Sequence, residues 1–165
     1  MPSYSIIENF EVHKNNRFLE IAEALKPELL HKEIKAAKEI MVGKDRQMRT
    51  VITEEYPIEN LYAKSLKRDD TVFVDFGDHA VGYVTLELSK TGSHQDAPVY
   101  FYLKFGERLE EMTDKTADYD GWLSRGWIQE EYIHVDVLPA KVKLPRRYSF
   151  RYMELRVIDT SAKFQ

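Results

Sequence analysis

The sequence predicts a mainly β protein: an antiparallel β-sandwich over residues 46–165, preceded by an N-terminal helical segment over residues 1–45. Three observations carry that expectation. Apolar residues recur at helical spacing in the N-terminal third, the period changes from about 3.6 to 2 further on, and Gly, Pro and Asp clusters punctuate the alternating stretches. Strands separated by such turns read as an antiparallel sandwich rather than as βαβ units.

The helical part comes first. Phe18, Ile21, Ala22 and Leu25 recur at i, i+3, i+4 and i+7, with Asn16 available as N-cap. Pro27 breaks or restarts the helix, because proline lacks a backbone donor and fits best in a first turn. A second stripe at Leu30, Ile34, Ala37 and Met41 predicts another helix ending at Gly43, its polar face carrying Lys32, Glu33, Lys35, Lys38 and Glu39.

Then the period shortens. Thr71–Phe76 is a strand closed by a Gly77-Asp78 turn. Gly82–Leu88 alternates with Val84, Leu86 and Leu88 on one face, and Val99–Phe105 with Val99, Phe101, Leu103 and Phe105 together. Trp127–Val137 and Tyr148–Ile158 are longer strand candidates, and Met48–Ile52 a weaker one. The boundary between helical segment and sheet falls within residues 43–70, and residues 106–126 form one long acidic loop running towards Trp122 and Trp127.

Composition narrows the functional classes. With 43% hydrophobic, 12% aromatic and 32% charged residues, neither wholesale disorder nor a membrane protein fits. No apolar run approaches the ~20 residues of a spanning helix, and Met1-Pro2-Ser3-Tyr4 opens no secretory signal. The cytoplasm is therefore the default location, with the periplasm or secretion expected if the chain is a clipped piece. A formal charge of −4 argues against a nucleic-acid partner. Zero cysteines exclude disulfides, cysteine zinc sites and thiol nucleophiles.

Familiar chemical motifs fail. Gly77–Gly82 has the outer spacing of a phosphate loop, but Tyr83 and Val84 stand where Lys and Ser or Thr are needed, so the stretch reads as a hairpin turn. Asp118-Tyr119-Asp120-Gly121 resembles the middle of a calcium loop that lacks its bidentate acid; an irregular site from Glu110, Asp114, Asp118 and Asp120 is the calcium reading, a solvated acidic loop the other. His13, His31, His79, His94 and His134 show no metal-ligand spacing, so neither metal nor cofactor is expected. Gly92-Ser93-His94 is a loop tripeptide without a nucleophile elbow. Glycoside hydrolysis needs two carboxyls flanking a bond, and Glu107, Glu110, Glu130 and Glu131 are the acids near aromatic residues.

Alternation yields a better clue. With Val84, Leu86, Val99, Phe101 and Leu103 inward, Tyr83, Tyr100 and Tyr102 share the other face, beside Glu87, Lys104 and Tyr132. A tyrosine offers an apolar ring and a polar tip, suited to sugar faces or protein surfaces. Three readings stand: the helical segment or a loop covers this face, another domain or subunit contacts it, or it binds sugar. The basic run Lys141, Lys143, Arg146, Arg147 and Arg151 lies close in sequence to Glu130, Glu131, Asp136 and Glu154, which predicts intramolecular ion pairs rather than a phosphate site.

Asp75-Phe76-Gly77 followed by Gly82-Tyr83, then Phe105-Gly106-Glu107 and finally Phe150-Arg151-Tyr152, resemble the β-sandwich accessory domain of bacterial α-L-rhamnosidase-like glycoside hydrolases. The resemblance covers about residues 66–160. It implies a jelly-roll or galactose-binding-like sandwich with no catalytic residue of its own, the hydrolytic acids of such enzymes lying in a separate (α/α)₆ barrel. It implies a structural Arg151 partnered by Glu107 or Asp75, and a chain that is a fragment, excised domain or truncated product.

The expected function is thus a non-catalytic accessory sandwich for domain packing or weak carbohydrate binding. Its partners would be a carbohydrate or a neighbouring catalytic domain. Tyr83, Tyr100, Tyr102, Trp122, Trp127, Glu107 and Arg151 are the candidate ligand-binding residues. The alternatives are a small carbohydrate-active enzyme using carboxylates of residues 106–131, or a module that homodimerises through the tyrosine face.

Overall fold

A computed structural model describes residues 13–28, 30–92 and 97–161; His94 and the Met1–Tyr4 opening lie outside the described residues. The chain divides into two compact units, Met1–Glu33 and Ile34–Gln165.

In the first unit, helix α1 spans Asn16–Ala24. Its N-cap is Asn15 rather than Asn16: the Asn15 side chain accepts from the Arg17 amide at 3.0 Å and the Phe18 amide at 3.4 Å. The helix is capped by Leu25, two residues before Pro27.

The second unit is one six-stranded antiparallel sheet. Its strands are β1 (Lys38–Lys44), β2 (Thr50–Pro57), β3 (Thr71–Leu88), β4 (Val99–Gly106), β5 (Glu130–Val135) and β6 (Ala140–Asp159), in the order β2-β1-β3-β6-β4-β5. A one-and-a-half-turn helix, α2 (Ile58–Tyr62), follows β2 and buries Ile58. The second predicted helix is not formed; its last residues make β1. Ile40 and Val42 alternate onto one sheet face with Ile52 and Phe73, and antiparallel pairing with both β2 and β3 outweighs the helical spacing of Ile34, Ala37 and Met41.

The two longest strands explain how one sheet produces a sandwich-like body. The first half of β3 (71–75) pairs with the second half of β6 (152–156), and residues 80–88 pair with residues 140–150. Between the halves, residues 76–79 face Arg151 alone, so the predicted hairpin turn at 77–82 is instead a wide bulge inside one continuous strand. Gly77 takes φ +86° there, a conformation that favours glycine. A second register shift lies between Tyr83 and Thr85, opposite Leu144-Pro145-Arg146, where proline is tolerated because a bulge needs no donor. The basic run thus belongs to β6, alternating with the inward residues Val142 and Leu144.

The main core draws on both halves of each long strand. Val74, Val84, Leu144, Tyr148, Phe150 and Met153 pack with Phe101, Leu103 and Phe105 of β4, consistent with a sheet folded over its own face. Burying each large apolar side chain contributes about 1.5–3 kcal/mol, and the tightest positions are Val74, Phe101, Leu103, Phe105 and Tyr148. Aromatic rings meet at the centre, Phe76 and Phe150 edge to face with centroids 5.0 Å apart and Phe105 and Tyr148 tilted at 4.3 Å. A smaller cluster of Ile40, Met112 and Tyr152 lies under the short 3₁₀ turn Leu109–Met112.

Candidate functional site

Strand register assembles the tyrosine face. Tyr102 of β4 stands opposite Tyr132 of β5 and Arg156 of β6, and Lys104 stands opposite Glu130 and Glu154 on the same two strands. Two cross-strand rows result, Tyr132–Tyr102–Arg156 and Glu130–Lys104–Glu154. Side chains two residues apart share a sheet face, so both rows look the same way. The segment Met112–Ala117 lies over part of them, leaving a cleft of about 380 Å³ between this segment and the sheet.

The cleft is built from charges and hydroxyls. Lys104 is only 4% exposed, and its Nζ donates to the Asp114 carbonyl at 2.5 Å. The Tyr102 hydroxyl donates to Glu130 Oε1 at 2.6 Å, and the Thr116 hydroxyl donates to the same oxygen. Burial, together with the Glu130 carboxylate, pushes the Tyr102 phenol far above its ordinary pKa. The Arg156 guanidinium lies over the Tyr102 ring at 4.9 Å. Burial also raises the Glu154 carboxyl above the usual glutamate value, against the opposing pull of Arg156 and Lys104. At the rim Tyr132 is 59% exposed, its ring 5.1 Å from Tyr102 and 6.2 Å from Tyr100.

The sequence candidates do not all come together. Tyr100 and Tyr102 do; Tyr100 is half-buried against His134, ring centroids 4.0 Å apart. Tyr83 does not: it pairs with Arg147, at the other end of β6 from Arg156, and is 73% exposed. Glu87 is likewise on that distant half, paired with Lys141. Trp122 and Trp127 stand on the loop before β5, 93% and 73% exposed, and neither lines the cleft. Glu154 and the flanking Arg156 are not among the sequence candidates, and Glu130 is one only as a hydrolytic acid. Alternation on one strand indicates a face, but only register reveals which charges on neighbouring strands meet it.

Arg151 has a definite partner. Its Nε and Nη2 donate to the two Asp75 carboxylate oxygens, each at 2.9 Å, and the Gly77 amide donates to Asp75 Oδ1 at 2.7 Å. Burial pushes the Asp75 carboxyl up, but the Arg151 and Gly77 hydrogen bonds and the Arg151 and Lys38 charges outweigh it, leaving the carboxyl below the usual aspartate value. Asp75-Phe76-Gly77 and Phe150-Arg151-Tyr152 are therefore two sides of one bulge, locked by a bidentate pair.

Glu107 pairs elsewhere. The Ser149 hydroxyl donates to Glu107 Oε1 at 2.6 Å and lies 2.9 Å from His79 Nε2, with His79 and Glu107 3.4 Å apart. The Ser149 hydrogen bond, with help from His79, holds the Glu107 carboxyl below its usual value. Carboxylate and imidazole nitrogen both meet the serine oxygen, so this trio is not the relay of a nucleophilic triad, which needs the acid on the imidazole's far nitrogen.

Nor do the other acids form a hydrolytic pair. Glu130 and Glu131 are adjacent on β5 and point to opposite faces. Glu131 accepts from Arg146 Nε at 2.8 Å and from the Tyr148 hydroxyl at 2.7 Å, and burial with that bond pushes the Tyr148 phenol up to about 12. Glu110 lies on the surface beside Arg108. Of the basic run, Lys141, Arg146 and Arg151 meet acids, two of them (Glu87 and Asp75) outside the set expected from sequence proximity. Among the described residues, Glu110, Asp114, Asp118 and Asp120 do not converge into a metal cluster, nor does any other group of three His, Asp or Glu side chains.

Fold and face together define an antiparallel β-domain with a polar cleft, and Glu107, Glu110, Glu130 and Glu131 are each engaged separately. The chain belongs to the glycosyl hydrolase family 78 alpha-rhamnosidase N-terminal domains, whose family profile matches residues 38–165. Among solved structures it is similar to a rhamnosidase from Klebsiella oxytoca with rhamnose bound, at 36% identity and a TM-score of 0.80. That match covers 92% of this chain and 30% of the Klebsiella chain, so the domain spans under a third of that relative. No curated protein matches the chain.

Proposed function

We propose that the chain is the non-catalytic accessory domain of an α-L-rhamnosidase-like glycoside hydrolase, packing beside a catalytic domain that supplies the hydrolytic acids. The observation that carries this reading is the family match over residues 38–165 together with a span of 30% of the Klebsiella rhamnosidase. The separate engagement of Glu107, Glu130 and Glu131 supports it, because retaining or inverting hydrolysis needs two carboxyls across one bond. Exposed Trp122 and Trp127 suit the packing role, since large exposed aromatics mark contact surfaces.

The test adds this chain to a family 78 catalytic region lacking its own N-terminal domain and follows that region's melting temperature. A rise that disappears when Trp122 and Trp127 are both changed to Ser is the expected result. An unchanged melting temperature at saturating chain contradicts the packing role.

A further inference from the structure

The cleft under Met112–Ala117 holds two polar side chains whose bonding capacity is unused. Among the described residues, the Glu154 carboxylate has no hydrogen bond and feels Arg156 and Lys104 only from beyond ion-pair distance, while the exposed Arg156 guanidinium lies over the Tyr102 ring with no carboxylate bound to it. Both belong to β6, two residues apart on one face, and both line the cleft. The neighbouring Glu130 is different: two hydroxyls already fill one of its oxygens and hold the floor in place. An unpartnered, half-buried carboxylate is a cost to the fold, so its presence beside an open cavity calls for an occupant.

Three features define that occupant. The volume, about 380 Å³, falls within the roughly 300–1,000 Å³ of small-molecule sites. Charges of both signs surround it, with Glu130, Glu154, Asp114, Lys115 and Arg156 on the lining and the buried Lys104 standing between Glu130 and Glu154 behind it, which favours a neutral molecule. At the rim the half-exposed Tyr132 offers one flat apolar surface. A neutral compound with one apolar face and many hydroxyls, each able to donate to a carboxylate and accept from a guanidinium, is a sugar.

We propose that this cleft is a carbohydrate subsite, in which a neutral sugar ring lies against Tyr132 and its hydroxyls donate to Glu154 and accept from Arg156. The inference deepens the accessory reading and places sugar contact on the β4–β5–β6 face rather than on the tryptophan loop. It makes no use of hydrolysis.

Saturation-transfer NMR of the full chain with a panel of neutral methyl glycosides, methyl α-L-rhamnoside among them, tests it. At least one glycoside is expected to bind saturably. Its dissociation constant should rise roughly tenfold or more in Arg156→Gln and in Tyr132→Ala, and stay unchanged in Trp122→Ala and Trp127→Ala. Circular dichroism confirms that each variant is folded, and Glu154→Gln, which removes a buried charge, provides a further weakened variant that folds at least as well as the parent. Absence of saturable binding by every glycoside overturns the proposal. So does binding that only the tryptophan substitutions weaken, or occupancy by glycine or acetate with no glycoside bound. Because the packing reading is judged by the catalytic region's melting temperature, its failure and the failure of this subsite are separately visible.

Discussion

Asp75 sits where the β3 backbone leaves its ladder, nearly buried and held by both donors of Arg151 and by the Gly77 amide. Removing the guanidinium strands a carboxylate away from water. Arg151→Met is therefore expected to lower unfolding stability by about 2–3 kcal/mol, read from urea midpoints at constant slope. Because the folded Asp75 carboxyl titrates below its unfolded value, the stability it supplies is present above the unfolded pKa. That stability is lost as pH falls through the folded one. Urea midpoints measured between about pH 2 and 7 should drop below about pH 4 in the parent and less steeply in Asp75→Asn. Glu154 has the opposite sign. Its folded pKa is raised by burial, so its contribution is complete below the unfolded pKa and is lost as pH rises through the folded value. Glu154→Gln should raise the melting temperature at pH 7 and leave it unchanged near pH 3; a drop at pH 7 contradicts the assigned burial cost.

At the scale of elements, the two short motifs around Gly77 and Gly106 have separate mechanical reasons. Gly77 holds φ +86° in the bulge, so Gly77→Ala should cost about 1–2 kcal/mol through backbone strain. Gly106 ends β4 under the Leu109–Met112 turn, where an added Cβ would stand 2.6 Å from Met112 Cε and 3.0 Å from Glu111 Cβ. Gly106→Ala should cost about 1–3 kcal/mol by overpacking; equal urea midpoints for parent and variant would contradict this packing. The strands around these glycines were legible. Phe101, Leu103 and Phe105 alternate with Tyr100, Tyr102 and Lys104, and no helical spacing competes. Residues 38–44 were not legible, because Ile34, Ala37 and Met41 fit a helix as well as Ile40 and Val42 fit a strand, and only pairing with β2 and β3 decides between them. Register was the other hidden quantity. Nothing local in Glu154 or Arg156 says that they stand opposite Lys104 and Tyr102, which is why half of the cleft went unseen while its tyrosines were found.

For the whole molecule, the boundary at residue 33 and the folded-over sheet make a prediction about truncation. A chain beginning at Ile34 keeps all six strands and should unfold cooperatively with the parent's urea slope, while one beginning at residue 46 loses β1 and with it the buried Ile40 and the strand that pairs with β2. Cooperative unfolding of the shorter chain would contradict the sheet order. At this scale the described residues present two exposed tryptophans on a loop and a polar cleft on the sheet. Glu107, Glu130 and Glu131 are held apart rather than paired across one bond. Incubating the purified chain with an aryl α-L-rhamnoside and following release of the phenol measures this most directly. No release above buffer is the expected result; release that falls away in Glu107→Gln or Glu130→Gln would make the chain a hydrolase in its own right and contradict the accessory reading.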